Sequence, residues 1–140
     1  MKTALIVCSL FFLFLVSGCS KKEPLYEIVV NHSIPACGIT DPIRNIPWLK
    51  AYCSEHSTAY SVTISVYKSN TSEVNHIVIE TSTDYIPDMS PSPIYTTSVY
   101  SCEGEMILFQ GTEGPKPAGY DAFFLENTRV AKIWEVKETI

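Results

Sequence analysis

The residues most suited to covalent chemistry stand near the start of the chain, where Ser17 and Gly18 precede Cys19. A lysine and an apolar run come before them, and the polar residues 20–23 follow at once. This order is typical of a lipoprotein signal, which is cut after small residues to leave an N-terminal cysteine that carries acyl chains such as palmitate. Two or three chains hold a protein at a membrane durably, since each buried methylene contributes about 0.8 kcal/mol. We therefore expect residues 1–18 to be removed and Cys19 to be the lipid attachment site.

A second set of residues bears on catalysis. Cys53 and His56 are three positions apart on an expected helix, close enough for the imidazole to contact the thiol. His32 and His76 have no partner at the spacing of a metal site, and the sequence contains neither a serine nucleophile elbow nor a phosphate-binding loop. Solvated surface is the simpler interpretation of the acids in expected turns, which are Asp84, Asp88, Glu103 and Glu105. We assign no catalytic, metal-binding or cofactor-binding residue.

Three cysteines remain once the signal is removed and Cys19 is acylated: Cys37, Cys53 and Cys102. In an oxidising compartment an odd number is typical of one disulfide and one free thiol. A helix between Cys37 and Cys53 would hold them about 20 Å apart, which is too far for a bond. We expect a disulfide between Cys37 and Cys102. A bond between Cys53 and Cys102, or three reduced thiols, are the alternatives.

Charge and length limit the partners and the number of domains. Removal of residues 1–18 takes one lysine and no acid, so the formal charge changes from −5 to −5 − 1 = −6. An acidic surface disfavours nucleic acid. We expect residues 19–36 to form a lipidated tether and residues 37–140 a single domain. The expected location is the cell envelope, at the outer membrane, with an envelope protein or a glycan as the partner beside the membrane itself.

The clearest helix signal follows Thr40. Either Thr40 or Asp41 can accept a hydrogen bond from the first helical amides, and Pro42 fits the first turn because its missing N–H costs nothing there. Pro47 would clash inside a longer helix, so the main helix should start near Asn45. Two short helical turns in series are therefore expected.

Alternation of apolar and polar residues replaces helical spacing in the rest of the chain. Residues 28–30 are a candidate for an added edge strand, and strands are expected at residues 59–68, 74–80, 96–100, 105–110 and 128–137. The last is ambiguous between strand and helix, and its β-branched and aromatic residues favour a strand. Exposed loops are expected at residues 84–93 and 111–119, and a short helix at residues 121–127 that is capped by Asp121. The expected fold class is α+β, with an N-terminal helix packed on an antiparallel sheet of four to five strands.

Two motifs resemble a known group of proteins. Residues 37–50 begin with Cys-Gly and continue to Ile-Pro-Trp-Leu, and residues 99–104 read Val-Tyr-Ser-Cys-Glu-Gly. The combination resembles small, uncharacterised bacterial lipoproteins with a Cys-Gly, Pro and Leu-Pro-Trp-Leu opening and an aromatic-x-Cys-x-Gly turn. The chain departs from that pattern at Gln110, where the pattern has glycine, and at Cys53. The resemblance implies a lipid-anchored extracytoplasmic domain and no established activity.

The expected function is a lipid-anchored binding or interaction module that uses its loops or an exposed sheet face. The alternative is a small envelope hydrolase whose site is assembled from dispersed residues. A deep pocket that joins Cys53, His56 and a carboxylate would indicate the hydrolase. A flat aromatic patch with Tyr85, Tyr95 or Tyr100 would indicate binding.

Overall fold

The computed structural model describes residues 25–57, 61–83 and 93–139, which form one antiparallel sheet with short helices between strands. The elements in chain order are β1 (Leu25–Val30), α1 (Pro42–Asn45), α2 (Pro47–Glu55), β2 (Ser61–Ser69), β3 (Asn75–Thr83), β4 (Ile94–Tyr100), β5 (Met106–Gln110), α3 (Tyr120–Glu126) and β6 (Asn127–Thr139). The order of strands across the sheet is β1-β6-β2-β3-β4-β5, so β1 and β5 are its outer strands.

The predicted α+β class is wrong, because the described part of the chain is mainly β. We expected an N-terminal helix packed on four to five strands, whereas the sheet has six strands and the helices are four, nine and seven residues long. Pro42 and Pro47 each stand in the first turn of a helix, and this splits the segment into two short helices, as their positions predicted. The two helices lie in the connection between β1 and β2, and α2 contributes side chains to the core.

The two ends of the described chain lie side by side in the sheet. β1 pairs with β6 in a register that runs from Leu25 opposite Thr139 to Val30 opposite Trp134. The candidate edge strand at residues 28–30 is therefore part of the sheet, and β1 begins three residues earlier, within the segment assigned to the tether. Residues 128–137 lie within a strand, as predicted, and β6 is inserted between β1 and β2.

Neither predicted aspartate cap is formed. Asp41 has a left-handed backbone conformation, with φ of 50°, and its side chain makes no hydrogen bond to the start of α1. Nδ1 of His32 instead lies 2.8 Å from the Asp41 carboxylate. α3 is preceded by Gly119, and the carboxylate of Asp121 pairs with Lys116 at 2.7 Å. The two carboxylates therefore contact the side chains of His32 and Lys116 and do not cap the helix amides.

The main hydrophobic core covers one face of the sheet. Its fully buried side chains include Leu49, Val62, Ile64, Ile77, Ile133 and Val136. Leu49 and Cys53 reach this core from α2, on the apolar stripe that the sequence predicted. On the opposite face, Phe123 of α3 packs with Val78 and Val99 in a smaller cluster. The sheet is thus covered by different segments on its two faces.

Candidate functional site

The Cys53 and His56 pair does not form a nucleophilic site. Burial raises the pKa of the Cys53 thiol from its ordinary value of 9.0 to about 12. His56 stacks on Tyr52, with ring centroids 4.0 Å apart, and its Nδ1 donates a hydrogen bond of 2.8 Å to the Tyr52 carbonyl. A thiol that attacks a substrate needs a lowered pKa and a hydrogen-bonded base. Proximity along α2 therefore does not give these two groups a reactive arrangement.

His76 is half-buried near the start of β3. Its ring lies edge-on to that of Phe123, with centroids 5.2 Å apart. Desolvation lowers the pKa of His76, and the neighbouring Asn127 side chain acts in the opposite direction. The imidazole of His76 therefore packs as an aromatic ring against Phe123.

Two open clefts flank His76, with volumes of about 330 and 470 Å³. The smaller is lined by the turn that contains Cys102, and the larger by α3, including Phe123. Neither cleft is lined by Cys53 or His56. Neither of these two clefts is therefore the deep pocket, lined by Cys53 and His56, that was expected of a hydrolase.

Two of the four acids in expected turns lie in the described part of the chain. Asp84 and Asp88 lie outside the described residues, and Glu103 and Glu105 are exposed. In the part of the chain that the structure describes, no three His, Cys, Asp or Glu side chains lie close enough to hold a metal ion.

The predicted disulfide between Cys37 and Cys102 is present, and Cys53 is a buried free thiol. The bond joins the loop before α1 to the turn between β4 and β5. Trp48 strengthens the link, because its Nε1 donates a hydrogen bond of 3.0 Å to the Cys102 carbonyl. The indole also lies against Gly104, where a Cβ atom would be 2.8 Å from its Cγ. The β4–β5 hairpin is therefore fixed to the core at its turn.

The outer strand β5 carries an exposed apolar surface. Met106, Ile107 and Phe109 are 55, 48 and 51% exposed, and no residue of the strand is charged. Ile94 and Tyr95 of the neighbouring strand are also exposed. Within the described residues β5 pairs only with β4, so its outer backbone groups have no partner strand. We call these five side chains and the outer backbone of β5 the β5 edge.

A bulge shapes this edge. Phe109 pairs with Ser98 and Met106 with Tyr100, so Met106 and Phe109 lie on the same face of the sheet. The register shifts between Val99 and Tyr100, and the extra residue in β5 is Ile107. Met106 and Phe109 therefore offer apolar surface on one face of the sheet, and Ile107 offers apolar surface at the bulge.

The other outer strand is less suited to binding. β1 also exposes apolar side chains, namely Leu25, Ile28 and Val29. Glu27 stands in the middle of β1, with its carboxylate 3.5 Å from Nζ of Lys137. A charge at that position opposes the addition of another strand. β5 is therefore the better edge for a partner.

Sequence reasoning placed a strand at residues 105–110 but did not identify it as an edge. A signal was available, because Met-Ile-Leu-Phe at residues 106–109 breaks the alternation seen in the other strands. Of the three tyrosines proposed for a binding patch, Tyr95 is exposed and belongs to the β5 edge. Tyr100 is half-buried, 5.3 Å from the Trp48 ring between centroids, and Tyr85 lies outside the described residues.

The predicted signal, residues 1–18, and the predicted lipid attachment site, Cys19, lie outside the described residues. No helix within residues 25–57, 61–83 and 93–139 has both the length and the apolar character needed to cross a membrane. Comparison of the chain with protein families, curated proteins and solved structures found no match.

Proposed function

We propose that this protein is a lipid-anchored interaction module of the cell envelope, held at the membrane through Cys19, whose β5 edge binds a strand of another protein. The observation that carries the proposal is an outer strand with half-exposed Met106, Ile107 and Phe109 and no charged residue. Natural proteins usually protect an outer strand with charges, proline or a covering element. In strand addition, main-chain hydrogen bonds supply affinity and contacts of alternate side chains supply specificity.

The rigidity of the hairpin supports this function. The Cys37–Cys102 disulfide and the hydrogen bond from Trp48 hold the turn that precedes β5. At the other end, the Thr112 hydroxyl bonds to both the backbone N–H and the carbonyl of Tyr95. A strand fixed at both ends loses little conformational freedom on binding, which favours affinity.

The proposed anchor precedes β1 in the sequence, and β1 is the outer strand at the opposite edge of the sheet from β5. Six residues lead from Cys19 to Leu25, and a chain of that length reaches at most about 20 Å. β5 is five strand spacings away from β1, or about 24 Å at 4.8 Å each. A domain tethered through β1 can therefore present β5 to a neighbouring protein.

Photo-crosslinking in the cells that make the protein tests this proposal. The full chain would carry benzoylphenylalanine in place of Phe109, with a control chain that carries it in place of Val130. Val130 is 53% exposed and lies in β6, four strand positions away from β5 in the sheet. We expect a discrete protein adduct from position 109 that is missing from position 130. The same adducts from both positions, or none from position 109, would contradict the proposal.

A further inference from the structure

The half of the sheet that contains the β5 edge has more acidic than basic side chains, and one of its acids, Glu73, is paired with Lys68 at 2.7 Å. Residues 69–115 contain seven acidic residues and no lysine or arginine. Three of the acids bracket β5 directly: Glu103 and Glu105 before the strand and Glu113 after it. All three are exposed, and within the described residues none of them forms an ion pair.

The nearest lysine in the sequence after β5 does not change this balance. Lys116 pairs with Asp121 at 2.7 Å, and this hydrogen bond raises the pKa of the lysine. Its charge is therefore already matched by a carboxylate of α3. The β5 edge presents an uncharged apolar strand between acidic ends.

A second copy of this chain fits that edge poorly. Antiparallel pairing of two β5 strands about Leu108 would bring the acidic start of one strand, at Glu105, near the acidic end of the other, at Glu113, and the symmetry of the pair would repeat this approach. Like charges that face each other across strands are destabilising, and the whole chain is already acidic. The acidic ends favour a different partner.

We infer that the occupant of the β5 edge is an extended segment of another protein, apolar at alternate positions and with lysine or arginine at both ends; this inference rests on the proposed function. Alternate apolar side chains of such a segment would pack on Met106 and Phe109, which share a sheet face. Its basic ends would lie near Glu105 and Glu113. Opposite charges at the rim of an interface speed association and set the register of the two strands.

Peptide binding to the purified full chain in detergent tests the inference. The probe is a fluorescent nine-residue peptide of alternating threonine and valine with lysine at both ends, measured by anisotropy. One control peptide has glutamate at both ends, and another has proline at its centre. We expect the lysine peptide to bind at least tenfold more tightly than either control, and its binding to weaken as salt is raised.

A charge exchange on the protein supplies the matched control. The variant Glu105→Lys/Glu113→Lys should reverse the preference, so that the glutamate peptide binds better. The variant Glu55→Lys/Glu138→Lys has the same net charge, replaces two exposed acids away from β5, and should keep the original preference. Circular dichroism would establish that both variants fold.

The outcomes separate this inference from the proposed function. Equal binding of the lysine and glutamate peptides, lost in Ile107→Lys, would overturn the basic partner and leave the β5 edge as a binding site. Binding of no peptide, or equal binding of the proline peptide, would overturn the inference, and the crosslink at position 109 would then decide the proposed function. Self-association that is abolished by Ile107→Lys would identify a second copy as the occupant and would likewise overturn it.

Discussion

The indole Nε1 of Trp48 donates a hydrogen bond of 3.0 Å to the carbonyl of Cys102, and this contact links α2 to the turn between β4 and β5. The disulfide from Cys37 acts on the same turn. A helix distant in sequence therefore fixes the position of the outer strand. We call the Cys37–Cys102 disulfide and the hydrogen bond from Trp48 the clasp of the β4–β5 turn.

Gly104 should be the most sensitive glycine of the clasp. Its φ is +89°, and an added Cβ would lie 2.8 Å from Cγ of Trp48. We expect Gly104→Ala to lower the free energy of unfolding by about 3 kcal/mol, from backbone strain together with overpacking. Gly114→Ala is the matched control, because Gly114 also has a positive φ, +108°, but no atom within 4 Å of an added Cβ. Denaturation in urea measures both, and equal losses would contradict the close packing of Trp48.

Loss of the disulfide should destabilise the fold strongly. The two cysteines are 65 residues apart, and closing a loop of that length stabilises the folded state by about 4 kcal/mol in the chain-entropy account. We expect Cys37→Ser/Cys102→Ser to lose stability of that order in urea denaturation. Dithiothreitol should destabilise the wild-type protein and leave the double variant unchanged. A similar effect of the reductant on both proteins would show that the bond does not stabilise the fold.

The Cys53 thiol should be inert in the folded protein and should make stability depend on alkaline pH. Its pKa is raised to about 12 when folded, against 9.0 ordinarily, so the unfolded chain loses this proton first as pH rises. The contribution is present below pH 9 and is lost progressively towards pH 12. We expect the stability of the wild-type protein to fall more steeply over this range than that of Cys53→Ala. Alkylation of Cys53 in the native protein at the rate of an exposed thiol would contradict its burial.

Anchoring through Cys19 should be abolished by Cys19→Ala. We expect the wild-type protein to incorporate labelled palmitate and to sediment with membranes, because its acyl chains bury many methylenes. Cys19→Ala should lose both properties, and Cys53→Ala should retain them. Mass spectrometry that found residues 1–18 still attached, or an unmodified Cys19 at the N-terminus, would exclude a lipid anchor.

Local patterns in the sequence predicted much of the fold. Alternation predicted β2 and β3, two prolines predicted the split between α1 and α2, and a count of cysteines led to the pair Cys37 and Cys102. The fold class was wrong because the described helices are short and six strands pair in one sheet. The pairing of β1 with β6 joins segments far apart in sequence, and no local pattern records it. β6 pairs with β1 and β2 and not with β5, and this leaves β5 as an outer strand of the described sheet. The β5 edge could therefore not be recognised from its own residues alone, although its four consecutive apolar side chains were a signal.

Amide hydrogen exchange of β5 is the most direct test of the central claim that this strand pairs with a partner. Exchange of residues 106–110 would be measured by mass spectrometry for the full chain in intact envelopes and for the same chain purified in detergent, with β1 as the internal control. We expect β5 amides to exchange at least tenfold more slowly in envelopes, because strand addition places them in new hydrogen bonds, and β1 to exchange equally in both. Equal exchange of the β5 amides in the two preparations would contradict the account. A slowing of the β1 amides in envelopes as large as that of the β5 amides would also contradict it.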